Sequence, residues 1–135
     1  MKQLSRRKFI GETGKATLAG SLLLTLNNNN KSMEQLFIHH VYFWLNNPGS
    51  AADRDKLIEG LHKLSTVKTI QQFHIGLPAN TNRPVIEKSY AVSWCCFFET
   101  AANQDSYQTD PIHLKFVEDY SHLWKKVIVY DSIDI

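Results

Sequence analysis

The chain has 135 residues, 43% of them hydrophobic, with 15 Lys/Arg, 13 Asp/Glu and two Cys. That length suits one domain with a modest core. Residues 1–32 hold six of the basic residues and one of the acidic ones, so the remainder has nine against twelve, a formal charge of −3; it carries no basic stripe, which argues against a nucleic-acid partner.

The chain opens with Ser5-Arg6-Arg7-Lys8-Phe9-Ile10, followed by the mildly apolar run Ala16–Leu26 and then a polar tract. This order of parts reads as a twin-arginine export signal, with Arg6 and Arg7 at its centre. The run contains Gly20 and Ser21 and is too short and weakly apolar to span a bilayer as a mature helix. No Ala-x-Ala site precedes Asn27–Asn30, so retention as an anchor stays open beside cleavage. A cytoplasmic protein with a basic tail is the alternative. The expected destination is the periplasm or envelope, reached through the twin-arginine machinery. Residues 1–32 are thus signal and polar linker, and residues 33–135 form the folded domain.

Leu36–Leu45 is short, apolar and aromatic, which suits a strand buried on both faces. Asn46–Gly49 is a turn. Ser50 with Asp53 makes a capping-box-like start, and Leu57, Ile58, Leu61 and Leu64 form one stripe, so a helix is predicted from Ala51 to about Leu64. Thr69–Leu77 reads as a second strand, Pro78–Lys88 as a polar loop, and Ser89–Phe98 as a third strand. Thr100–Gln108 is a short helical segment. Asp110 is an N-cap and Pro111 sits at the first helical position, where its missing N–H costs nothing. The apolar arc of the helix that follows is Ile112, Phe116, Val117, Tyr120, Leu123 and Trp124, with His113 inside it and Lys115 and His122 outside. Lys126–Ile133 is the last strand. The fold class is α+β: a ferredoxin-like βαββαβ antiparallel sheet with helices on one face. Strands 1 and 3 are apolar on both faces, so a second copy is the simplest cover for the bare side, giving a homodimer.

Chemistry-bearing residues are few. His39 and His40 alternate across a strand and cannot grip one metal together. No Cys-x-x-Cys or His-Glu-x-x-His occurs, so neither a metal nor a cofactor is expected. Cys95 and Cys96 face opposite ways, which disfavours a disulfide between them. His40 shares its face with Tyr42 and Trp44, and can be an acid–base group or a polar residue bonded within the barrel. His113, in a first helical turn, has two readings: a core residue bonded to a strand carbonyl, or a base held neutral by the helix dipole and desolvation. In the second, Tyr107 would donate from before the cap, His40 would approach from strand 1, and the reaction would be proton abstraction beside a carbonyl. Tyr42, Trp44, Tyr120 and Trp124 would line the pocket.

Several features then align with a known family. His40 in strand 1, Gly76 closing strand 2, Tyr90 opening strand 3, Phe98-Glu99 ending it, and Tyr107…Pro111-Ile112-His113…Phe116 resemble the stress-responsive A/B barrel domain. The likeness runs from about Phe37 to the C-terminus. The family often has His-Pro-x-His where this chain has Asp110-Pro111-Ile112-His113. The resemblance implies a dimeric α+β barrel with an enclosed pocket. A characterised relative, the plant olivetolic acid cyclase, closes a linear polyketide with histidines and tyrosines as acid and base. By position, His40, Tyr107 and His113 match functional residues there, while Val92 and Gly60 stand where it has a histidine and a tyrosine. Three functions follow as expectations. One is a pocket for a small apolar or aromatic molecule with lyase- or cyclase-like chemistry. The others are a non-catalytic homodimeric module that binds a ligand or partner in the envelope, and a cofactor-free monooxygenase or haem-handling barrel.

Overall fold

The structure, a computed structural model, describes residues 35–135. The twin-arginine signal with Arg6 and Arg7, and the linker, lie outside the described residues. Four strands and three helices follow in the order β1 (Phe37–Leu45), α1 (Ala51–Leu64), β2 (Gln72–Gly76), β3 (Val92–Phe98), α2 (Ala101–Thr109), α3 (Pro111–Tyr120) and β4 (Trp124–Ile133). The strands form one antiparallel sheet in the order β2-β3-β1-β4, the expected ferredoxin-like arrangement.

Local chemistry sets the helix starts. Ser50 Oγ accepts from the Asp53 N–H at 3.1 Å, and Thr100 Oγ1 accepts from the Asn103 N–H at 3.1 Å. Asp110 must be extended because a proline follows it, so its backbone breaks α2 from α3. Its carboxylate then accepts from the Ile112 N–H at 2.8 Å and starts the next helix.

Alternation along β1 divides the molecule. His39, Val41, Phe43 and Leu45 are buried, while His40, Tyr42 and Trp44 are half-buried on the other side. The first set meets Leu57, Leu61 and Leu64 of α1, Trp94 and Phe98 of β3, and Phe116 of α3 in one core. Burying each such aliphatic side chain contributes roughly 1.5–3 kcal/mol. Cys95 and Cys96 are free and buried, and their alternation puts Cys96 on the helix side and Cys95 on the open side.

α1 crosses α3 closely at Gly60. A Cβ built there would lie 2.8 Å from the Tyr120 ring, so only glycine fits this crossing.

Apart from shifts of a single residue, the strand and helix limits differ from the sequence reading at β2, at β3 and where α3 gives way to β4. β2 begins at Gln72, not Thr69, because Val67 and Ile70 continue a turned path from α1, with Ile70 N–H bonded to the Val67 carbonyl at 3.2 Å. β3 begins at Val92, because Ser89 is engaged by the Trp44 indole N–H at 2.9 Å and lies outside the ladder. The third correction is Trp124. Neither it nor Leu123 is on the α3 arc, because α3 ends at Tyr120, Leu123 closes a short 3-10 turn, and Trp124 is the first residue of β4, two residues before the expected start at Lys126. The intervening turn is tied to the end of β1 by Asn46, whose N–H bonds the Leu123 carbonyl at 2.9 Å and whose side-chain amide bonds the His122 carbonyl at 2.7 Å.

Candidate functional site

The cap at Asp110 fixes where α3 begins and therefore where His113 points. The imidazole lies against Tyr107, at the end of α2, with ring centroids 4.7 Å apart. Tyr107 in turn meets His39 of β1 edge-on at 5.6 Å. These three rings line a cavity of about 140 Å³ between the sheet and α3, walled otherwise by Gln108 and by apolar side chains including Phe43, Val41, Phe116 and Trp124.

Each polar group is held differently. His39 Nδ1 lies 2.6 Å from Asp131 Oδ1 on β4. An ionised carboxylate can only accept, so Nδ1 carries the proton and a neutral ring leaves Nε2 as an acceptor. Trp94 Nε1 donates to the Tyr107 hydroxyl at 3.2 Å, which leaves the phenolic proton free to donate elsewhere. Tyr107 is 1% exposed. Burial pushes its pKa well above the ordinary value, with nearby Cys96 adding to the rise, so it is a neutral donor. His113 Nδ1 is buried and has no hydrogen-bond partner among the described residues. Burial lowers the pKa of His113, and His39 adds in the same sense, against an opposing pull from the Gln108 carbonyl and Asp110. A neutral imidazole with a free buried nitrogen, beside a phenol with a free proton, can take a proton from one atom while donating to another.

The structure brings together two of the three expected catalytic residues, His113 and Tyr107. It does not bring His40 to them. His40 points to the opposite side of the sheet, where its Nδ1 pairs with the Tyr42 hydroxyl at 3.2 Å. Its pKa is lowered by burial, then by His74 and His39. The strand residue that reaches the cavity is His39, because strand alternation exchanges the two faces at each step. The four expected pocket residues also separate. Trp124 lines the helix-side cavity. Tyr120 packs at the α1–α3 crossing, with its hydroxyl accepting from Lys63 Nζ at 2.9 Å, beside an outer hollow of about 390 Å³. Tyr42 and Trp44 line a third hollow of about 410 Å³ on the open face, with Tyr90 and Tyr130. Lys126 Nζ sits 4.5 Å from the Trp44 ring there.

His39, Asp131 and Trp94 were not legible as site residues. Asp131 did carry a signal, as a carboxylate closing the apolar run Val127–Tyr130. Among the described residues no group of His, Cys, Asp and Glu could hold a metal ion, and no helix is long and apolar enough to cross a membrane.

Residues 37–134 match the family model described as the Stress responsive A/B Barrel Domain. No curated protein matches the chain. Among solved structures, a protein of this family with a ferredoxin-like fold from Mesorhizobium loti is 20% identical with a TM-score of 0.63, over 75% of this chain and 98% of that one. The hydroxynitrile lyase of Passiflora edulis is 15% identical with a TM-score of 0.62, over 76% and 95%. A dimeric ferredoxin-like protein of unknown function from Thermobifida fusca is 13% identical with a TM-score of 0.59, over 73% and 90%. At these identities the likeness carries the fold alone.

Proposed function

The chain belongs to the stress responsive A/B barrel domain family, and from that membership we propose that it is an exported homodimer performing acid–base chemistry in the cavity between sheet and helices. The observation that carries this reading is the buried Nδ1 of His113, without a hydrogen-bond partner among the described residues, on a ring packed 4.7 Å from that of Tyr107. A residue serving only the core would spend that nitrogen on a hydrogen bond, because an unmet buried polar atom costs about 1–3 kcal/mol.

His113 takes a proton from the carbon beside a substrate carbonyl, and Tyr107 donates to the oxygen on which charge develops. His39, oriented by Asp131, offers Nε2 as a second acceptor or proton relay. The presence of a hydroxynitrile lyase on the same fold supports lyase-type chemistry in such a scaffold. Proton abstraction is read directly as exchange of the methyl protons of acetophenone in deuterated water. Wild-type protein should accelerate the exchange, and His113→Gln should remove the acceleration while the melting temperature stays within a few degrees. A His113→Gln variant that melts much lower yet exchanges normally would make His113 structural.

A second reading has its own observation. The open-face hollow with Tyr42 and Trp44 could hold an aromatic ligand in a non-catalytic module. Binding that survives His113→Gln and disappears in Trp44→Ala would favour it. The leader supports export by the twin-arginine route; undiminished export after Arg6→Lys and Arg7→Lys would rule that out.

A further inference from the structure

The cavity has a shape and a charge character that restrict what can enter it. Its inner end is closed: Leu64 is 1% exposed, Trp94 is 1% exposed, and Trp124 stacks on Phe116 at 5.7 Å. Its outer side lies between α3 and β4. β4 is an edge strand, so among the described residues no further strand covers that flank. Three lining valines border solvent there: Val117 on α3 is 41% exposed, and Val127 and Val129 on β4 are 37% and 45% exposed. Val117 lies one helical turn beyond His113 and so on the same face. Val127 and Val129 share the strand face of Asp131. Isolated exposed valines are ordinary, but these three meet at the rim of one cavity.

Among the described residues the lining contains no Lys or Arg. Two carboxylates flank the polar end, Asp131 on His39 and Asp110 near His113, and both repel anions. The other polar groups in the lining are the His113 nitrogen, the Tyr107 hydroxyl, the Gln108 amide and the His39 ring, the last already engaged by Asp131. An anionic head group entering here would lose water and meet no counter-charge, which is costly. The volume, about 140 Å³, is near that of a cavity of roughly 150 Å³ that accepts benzene.

We infer that the slot bounded by Val117, Val127 and Val129 is the entrance to this site, and that it selects compact, neutral carbonyl compounds of about one ring over anionic or long-chain ones. This rests on the acid–base reading for the kind of head group, while size, charge and entrance rest on the cavity itself.

Fluorine NMR on the full chain tests it, with para-fluoroacetophenone as the neutral probe, para-fluorobenzoate as its anionic counterpart and decyl methyl ketone as a long neutral competitor. The ketone probe should bind saturably below ~5 mM, the benzoate about tenfold more weakly, and the long ketone should not displace the probe at equal concentration. Val129→Trp should weaken probe binding by about tenfold or more with an unchanged melting temperature. Val117→Trp, on the opposite rim, should do the same and serves if the first variant folds poorly. Absence of probe binding, equal binding of the benzoate, displacement by the long ketone, or normal binding in both tryptophan variants would each overturn the inference. Selective probe binding lost in the variants, but without proton exchange by wild-type protein, would uphold the entrance and its selectivity while removing the acid–base function.

Discussion

His113 and His40 are both partly buried histidines, and each has its pKa lowered from the ordinary value, chiefly by burial. The consequence for stability has a definite sign. Above the ordinary histidine value of about 6.5 both folded and unfolded chains hold these rings neutral, and neither contributes a pH dependence. As pH falls through 6.5 the unfolded chain binds protons first, so the fold loses stability until the pH passes below the lowered folded values. The melting temperature should therefore fall between pH 7 and 5, and His113→Gln should fall less than wild type over that interval. An identical slope in the variant would mean that His113 titrates as a free imidazole does. The same lowering matters for chemistry, since it keeps the proposed base neutral, and able to accept, to lower pH than an exposed histidine.

At the scale of elements, the contact between α1 and α3 is the most exacting. Gly60 sits in a helix interior, where alanine would be favoured by about 1 kcal/mol on propensity. The new Cβ would stand 2.8 Å from Tyr120, and that ring has little freedom. It stacks on Phe116 at 5.6 Å, and its hydroxyl is held by Lys63, which also bonds Glu59 at 2.8 Å. Overpacking of this kind costs about 1–3 kcal/mol, so Gly60→Ala should be net destabilising despite the propensity gain. Chemical denaturation would measure it, and a stabilised variant would show that the two helices separate easily. Because α3 carries His113, the same variant should also disturb the cavity.

For the whole molecule, the open sheet face decides assembly. Tyr42, Trp44, Ile128 and Tyr130 line a hollow there, and Tyr130 is 63% exposed. A sheet with helices on one side needs a cover on the other, and the neighbour from Thermobifida fusca is described as dimeric. If a second copy supplies that cover, Tyr130→Glu should give a monomer by light scattering at micromolar concentration with little loss of secondary structure. A dimer that persists in this variant would place the interface elsewhere. The proposed catalytic cavity lies on the helix side of the sheet, so loss of the dimer should leave the fluorinated ketone bound.

The order of elements, the Ser50 and Asp110 caps, the break at Pro111 and the approach of Tyr107 to His113 were legible because they depend on local chemistry and on residues a few positions apart. The opposed directions of Cys95 and Cys96 followed from strand alternation in the same way. Which of His39 and His40 reaches the cavity was not legible, since alternation states only that the two diverge. The side chosen depends on where α1 and α3 pack, and the wholly apolar set Val41, Phe43 and Leu45 takes that side because it loses less on leaving water than Tyr42 and Trp44 would. Asp131 meets His39 through the β1–β4 register, 92 residues away along the chain. Trp124 changes from helix to strand because Asn46 anchors the turn before it. Pairings of this kind are settled by the closing of the sheet and its burial against the helices, so only the tertiary structure decided them.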